Sequence, residues 1–416
     1  MKQLKFKKIE IFEPFFWIYF VWYYLPFARA IFHSTRYNQI FFGIFALGCA
    51  LCLVKYIATK KAISFKYNPL LPVLAYFLFF LLLVILDVST AGRHIRISFT
   101  FWGTLIAYYL TSAYPNAQKR IVKLVLCMLL VTSITSLVGV IADPRAARTL
   151  TYANNDILED LAIKMKNIGG LEFFQGLVIC VPILLTFIFK NKYKIFSTIS
   201  LLLVFVSLLS ASFTIALTVF FVALALGVWF NNSSSLRAVI ILVLLVAVLA
   251  IPWSNVIMYI SNNISNSTIS DRLQSIALSL SSGSAEGDLF SRVDLYSASL
   301  KTFLENPLGV GPEYTYVDYE KGIGYHSQLL DDLARYGFLA LIFYVAFFVG
   351  YFKLLRKQWS RINLPQVALP ITAVYLVFLI LNPGFTSAHE GVLLLFLIPA
   401  FPNILCQNEK ATVKEI

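Results

Sequence analysis

The chain has 416 residues, of which 59% are hydrophobic, 16% aromatic and only 13% charged, and its formal net charge is +13. A soluble globule of this length would lack the polar surface to cover itself, so the composition excludes one and indicates an integral membrane protein. The positive charge does not point to nucleic acid, because Lys and Arg fall in short clusters between apolar runs, where they report membrane orientation.

A bilayer core takes about 20 apolar residues per helix. Twelve runs meet that demand, at 11–28, 38–54, 69–87, 97–112, 122–141, 171–189, 195–210, 212–230, 238–256, 337–353, 366–382 and 390–406. The fold class expected is therefore an all-α polytopic membrane protein. It has three parts: a bundle of nine spans over 1–256, a long external loop over 257–336, and spans ten to twelve with a cytoplasmic tail over 337–416. With the N-terminus inside, most of the 34 basic residues lie in cytoplasmic segments, among them Lys55, Lys119, Arg120, Lys190, Arg356 and Arg361. Both termini are then cytoplasmic. The first apolar run is too long for a removable signal, so it reads as a retained helix. Cys49, Cys52, Cys127, Cys180 and Cys406 all lie inside apolar runs and read as packing residues, with no histidine near the Cys49/Cys52 pair to complete a metal site.

The first two outer loops are short and basic, with Arg29, His33 and Arg36 in one and Arg93, His94 and Arg96 in the other. They read either as side chains snorkelling to the headgroups or as anion ligands. The first holds no carboxylate, which argues against a glycosyl transferase that coordinates a metal on an early outer acid. The third, 142–170, carries Arg145 and Arg148 and a short interfacial helix over 156–163. Spans six to nine follow with minimal connections and should be antiparallel neighbours.

The external loop holds two amphipathic runs. Ile269, Leu273, Ile276 and Leu280 define one able to lie on the bilayer surface. Leu289, Val293, Tyr296, Leu300 and Phe303 define the other, with Arg292, Ser299 and Asn306 along its polar flank. Asn306-Pro307-Leu308-Gly309-Val310-Gly311 ends it. Gly309 and Gly311 permit a sharp reversal, with close approach of the backbone to a ligand or another helix, and Pro312 stiffens it. Tyr325-His326-Ser327-Gln328 then opens a helix over 327–336. Its first-turn N–H groups and positive end attract anions, and a neutral imidazole at that opening can take a proton from a substrate hydroxyl. A plain capping role for His326 is the structural alternative. Spans eleven and twelve are joined by an outer loop, 382–390, containing His389. No P-loop, dinucleotide fingerprint, HExxH pair or nucleophile elbow occurs.

The string from Ser291 to Leu341, with its Arg-led helix, Asn-Pro-x-Gly-x-Gly turn, His-Ser at a helix head and following Gly337, resembles the late signature of the bacterial O-antigen polymerase and O-antigen ligase superfamily. The resemblance implies metal-independent glycosyl transfer, with no cofactor, on the outer face of the bacterial cytoplasmic membrane. The substrate it implies is an undecaprenyl-diphosphate-linked oligosaccharide, and a chain-length regulator and a flippase are the implied partners, with no nucleic acid. Arg292 matches the family's arginine for the donor diphosphate, and His326 its base for the acceptor hydroxyl. Arg93, Arg145 and Arg148 are supporting diphosphate candidates from their external position alone, since guanidinium is permanently charged and bidentate toward phosphate. Many relatives, ligases especially, carry an arginine at the turn between spans seven and eight, where this chain has Phe213. That departure favours a polysaccharide polymerase over a ligase that moves finished glycan onto lipid A core. A lipid-linked oligosaccharide transporter is the reading from another class. Few ionisable residues within spans and the absence of an evident internal repeat weigh against it.

Overall fold

The computed structural model describes residues 9–32, 35–59, 74–75, 78–79, 81–82, 85, 101–142, 168–169, 171–210, 214–231, 253–264, 270–271, 273–274, 288–311, 322–382, 384 and 388–405. No strand occurs among them. Three helices, Arg36–Ala58, Pro115–Ala142 and Phe338–Ser360, are long and apolar enough to cross a bilayer. Shorter apolar helices run over Phe173–Phe189, Lys194–Leu208, Ala216–Asn231, Pro365–Leu381 and Val392–Leu405. The outward faces of the long helices carry exposed Val54, Ile57, Ile134, Val138, Ile141, Ile342 and Val345. An apolar exterior of that extent is stable only against lipid, so the chain is a membrane protein. Most of the predicted third and ninth spans lies outside the described residues, as does the interfacial helix predicted over 156–163.

The predicted first span, 11–28, is not one helix. Glu13–Tyr24 stops at Leu25, whose ψ of 110° is extended, and a separate helix covers Pro26–Ile31. The cause is local: Pro26 drives the preceding residue out of the helical region and offers no N–H of its own. The helix Trp253–Asn262 likewise carries regular structure past the predicted end of span nine.

The interior is aromatic. Tyr19 and Phe45 lie 4.5 Å apart between ring centroids, Trp22 stacks on Phe41 at 4.3 Å, and Phe20 reaches Phe396 at 5.4 Å. Residues Val392–Leu397 form a π-helical stretch. The Tyr351 hydroxyl donates to the Leu394 carbonyl at 2.7 Å, and the Trp359 indole N–H donates to Ile398 at 3.2 Å. These donors satisfy carbonyls in and just beyond a register that fits the usual helix poorly.

The ends of the apolar elements sort into two sets. At one end, Arg120 forks onto Glu13, with Nε to Oε2 at 2.7 Å and Nη2 to Oε1 at 2.5 Å, and Lys55 pairs with Glu10. The Gln118 side chain accepts from Asn403 at 2.7 Å, and Asn403 accepts from Arg361 at 3.3 Å. Residues predicted to share one side of the membrane therefore meet. At the other end, the Tyr296 hydroxyl donates to Leu381 at 2.7 Å, and Gln328 N–H donates to Asn382 at 3.3 Å.

Candidate active site

The later described part of the long loop between the ninth and tenth predicted spans holds an arm, Asp288–Glu305, and a short helix, Gln328–Tyr336, which leads through Gly337 into Phe338–Ser360. The arm ends at Asn306, where Pro307 cannot continue it. The following turn closes onto the far end of the short helix. Val310 and Gly311 donate their N–H groups to the Ala334 and Arg335 carbonyls, each at 3.0 Å, and Phe338 N–H donates to Pro307 at 2.9 Å. Carbonyls that every helix C-terminus leaves unpaired are thus satisfied by the turn. Gly309, at φ 90°, sits where a Cβ would strike the Arg335 carbonyl, whereas Gly311, at φ 94°, has open space before it. Of the two uses foreseen for these glycines, the structure displays close approach to another helix at Gly309.

Ser327 is the N-cap of the short helix and Gln328 its first residue, one position later than predicted. Ser327 Oγ accepts from Leu330 N–H at 3.1 Å, the Ser327 carbonyl accepts from Asp331 N–H at 3.0 Å, and Ser327 N–H donates to Asp331 Oδ2 at 3.1 Å. With Gln328 N–H held by Asn382, these first-turn donors are spent inside the protein. The Gln328 and Leu330 donors are therefore not presented to an anion.

The segment carrying His326 is fastened to the arm. Gly322 exchanges both backbone groups with Thr302 Oγ1, each at 2.9 Å, and Gly324 N–H donates to Ser299 Oγ at 2.8 Å. Gly324 lies against the Leu295 carbonyl, which leaves no room for a Cβ. Ser299, foreseen on a polar flank, is buried, and its hydroxyl donates to Asp331 Oδ1 at 2.6 Å. Asn306, on the same flank, is exposed.

His326 itself is half-buried, and its Nδ1 is buried without a hydrogen-bond partner. The helix that follows carries two buried carboxylates, Asp331 and Asp332, and the cation Arg335. Asp331 is faced by Arg335 and His326, and burial raises its carboxyl above the ordinary value against the pull of Ser299, Ser327 and these two neighbours. Asp332 is also raised by burial. It accepts from Tyr344 Oη at 2.6 Å and Gln328 Nε2 at 2.7 Å, and Arg335 Nη1 lies 4.0 Å away. Arg335 also lies over the Tyr325 ring, 5.0 Å from its centroid. Sequence reading did not single out Asp331, Asp332 or Arg335. The only signal was their i to i+4 spacing behind a histidine, which surface helices share.

Arg292 lies on the arm, but its side chain, like Arg93, Arg145, Arg148, His33 and Phe213, is outside the described residues. Pro307 is exposed at the turn. The structure therefore brings His326, Pro307, Gly309 and Gly311 into one interlocked unit with the arm that bears Arg292.

Residues 196–345 match the family model Wzy_C, described as O-antigen ligase. The match takes in the arm, the Pro307 to Gly311 turn, His326 and the short helix, and it supports placing the chain in the O-antigen polymerase and ligase superfamily. No curated protein matches the chain.

Proposed function

We propose that this protein is a polysaccharide polymerase of the O-antigen polymerase and ligase class. It would transfer a glycan from undecaprenyl diphosphate to a lipid-linked repeat unit on the outer face of the cytoplasmic membrane, without a metal ion. The observation that carries the reading is His326, held at a helix head by the arm inside the stretch that matches the family. Thr302 meets Gly322 and Ser299 meets Gly324, so continuing the antiparallel run sets residue 326 level with about residue 296 of the arm, one helical turn from Arg292.

In the reaction the acceptor hydroxyl gives its proton to the His326 imidazole as its oxygen bonds to the anomeric carbon. The bond from that carbon to the diphosphate oxygen breaks, and its electron pair leaves on the diphosphate. Arg292, supported by Arg93, Arg145 and Arg148, neutralises that charge where it develops. Asp331 interacts with the histidine. Both chain termini are cytoplasmic in this arrangement, and a flippase and a chain-length regulator act before and alongside it.

A positioned general base contributes roughly 10²- to 10⁴-fold. Purified His326→Ala protein in detergent, given extracted lipid-linked repeat unit, should lose polymer formation by that factor while remaining folded. Polymer at the wild-type rate would remove the histidine from the chemistry. The description of the matched family favours a second reading, in which lipid A core is the acceptor. Deleting the gene separates the two: loss of a polymerase leaves single repeats, and loss of a ligase leaves polymer stranded on its carrier lipid.

A further inference from the structure

We infer that the ring of Tyr325 is a stacking platform for the acceptor saccharide, the sugar whose hydroxyl faces His326. The inference rests on the role proposed for His326 and adds a subsite to it.

Between Gly322 and Ser327 the chain is turned inward, with Gly322, Ile323, Gly324 and Ser327 all buried. Tyr325 alone in this segment stands out, 49% exposed. Its backbone is fixed on both sides, by Gly324 N–H on Ser299 Oγ at 2.8 Å and by Ser327 N–H on Asp331 Oδ2 at 3.1 Å. Between these points Tyr325 has φ 56°, a left-handed conformation that bulky residues rarely adopt. Such a conformation persists only where its surroundings over-determine it, and it collects at ligand sites. Glycine or asparagine would hold the same turn with less strain. A tyrosine whose ring gains little burial is the least favourable choice for the turn alone.

The ring is also held in orientation. Arg335 covers one face, 5.0 Å from the centroid, and is itself steadied by Asp332 at 4.0 Å. Half of the residue remains exposed, which leaves the ring open to a ligand. A ring held in place before the ligand arrives loses little freedom on binding.

The chemistry of the ring selects the ligand class. An aromatic face is electron-rich and attracts weakly polarised C–H groups. A cation would suit it too, but the guanidinium behind the ring already occupies that role and repels a second positive charge. A pyranose presents an apolar face of C–H groups with hydroxyls at its rim. Stacked on Tyr325, it would hold a rim hydroxyl beside the next residue in the chain, His326, whose Cα is about 3.8 Å along the backbone. A tyrosine that only anchors the loop at the membrane interface needs neither the left-handed backbone nor the guanidinium.

The test measures acceptor KM and kcat separately. It uses repeat-unit lipid extracted from cells lacking this protein as the varied acceptor, and isolated polymer-lipid as the fixed, saturating donor. Tyr325→Gly and Tyr325→Asn keep a residue suited to φ 56° and remove the ring. Acceptor KM should rise roughly three- to tenfold in both, the scale of one aromatic contact, with donor KM unchanged. Tyr325→Phe should restore most of the lost affinity. An unchanged acceptor KM in the Gly and Asn variants, or a loss confined to kcat, would overturn the subsite and mark Tyr325 as an interface anchor only. That result leaves the His326→Ala defect intact. Wild-type activity in His326→Ala would instead remove the foundation of both.

Discussion

Gly309 and Gly337 meet backbone to backbone: a Cβ on Gly309 would strike the Arg335 carbonyl and approach Gly337 N, and one on Gly337 would strike the Pro307 carbonyl and approach Gly309 N. Both have positive φ, 90° and 59°. The contact joins the end of the arm to the entry of the tenth predicted span, on either side of His326 in the chain.

Alanine substitution should separate steric from conformational cost. Gly311 shares the positive φ, 94°, but faces open space, so Gly311→Ala bears only the left-handed penalty of about 1–2 kcal/mol. Gly309→Ala and Gly337→Ala bear that penalty plus a collision with backbone, which cannot rotate aside as a side chain can. Thermal unfolding in detergent should therefore show a modest drop for Gly311→Ala and a much larger one for the other two. Equal drops in all three would mean the turn does not clamp the helix.

Asp331 and Asp332 make the loop's stability dependent on pH. Burial raises both carboxyls above the ordinary value. An acid raised on folding keeps its proton longer in the folded state than in the unfolded one. Its contribution is complete below the unfolded pKa, about 4, and is lost as pH rises through the folded value. Melting temperature should accordingly fall as pH is raised from about 4 through that range, and Asp331→Asn should flatten the slope even though it lowers stability overall. The overall loss is expected because an amide has only one acceptor for the two donors, Ser299 O–H and Ser327 N–H. An identical slope in the variant would show that the carboxyl does not titrate there.

These contacts also mark where sequence reading stops. The turn from Asn306 to Gly311, the helix beginning at Ser327 and the break at Gly337 are written locally, in residues that fix or free φ, and they were legible. The break at Leu25 was legible too, from Pro26, but was masked by an unbroken apolar run. The bond between Ser299 and Asp331 spans 32 residues and leaves no periodic trace. The π-helical stretch at Val392–Leu397 is likewise unmarked, since it accompanies contacts with Tyr351 and Trp359 on another helix. Arg335 carries no local mark of its contacts, because a basic residue in a helix's last turn has an ordinary explanation in the helix dipole.

Arg292 is the next variant to make. If it binds the donor diphosphate, Arg292→Ala should weaken donor binding. Arg292→Lys should recover it only in part, because an ammonium keeps the charge but loses the two-pronged geometry. Measuring donor KM at fixed acceptor checks this, and a donor KM equal to wild type in Arg292→Ala would assign the diphosphate to another residue.

At the opposite end of the bundle, the pair Glu13 and Arg120 should respond unequally to loss of either partner. Glu13 is fully buried, while the Arg120 side chain is 26% exposed. Removing Glu13 leaves a guanidinium that can turn to water. Removing Arg120 leaves a carboxylate with only the Glu10 backbone N–H, at 2.7 Å, in a buried position. Breaking a buried pair from the side that strands the charge costs about 3–5 kcal/mol. Arg120→Gln should therefore destabilise the detergent-solubilised protein by more than Glu13→Gln, and the double variant should recover part of the Arg120→Gln loss because no charge remains stranded. Additive effects in that cycle would mean the two side chains do not stabilise one another, and that the first helix is held in place by its aromatic packing alone.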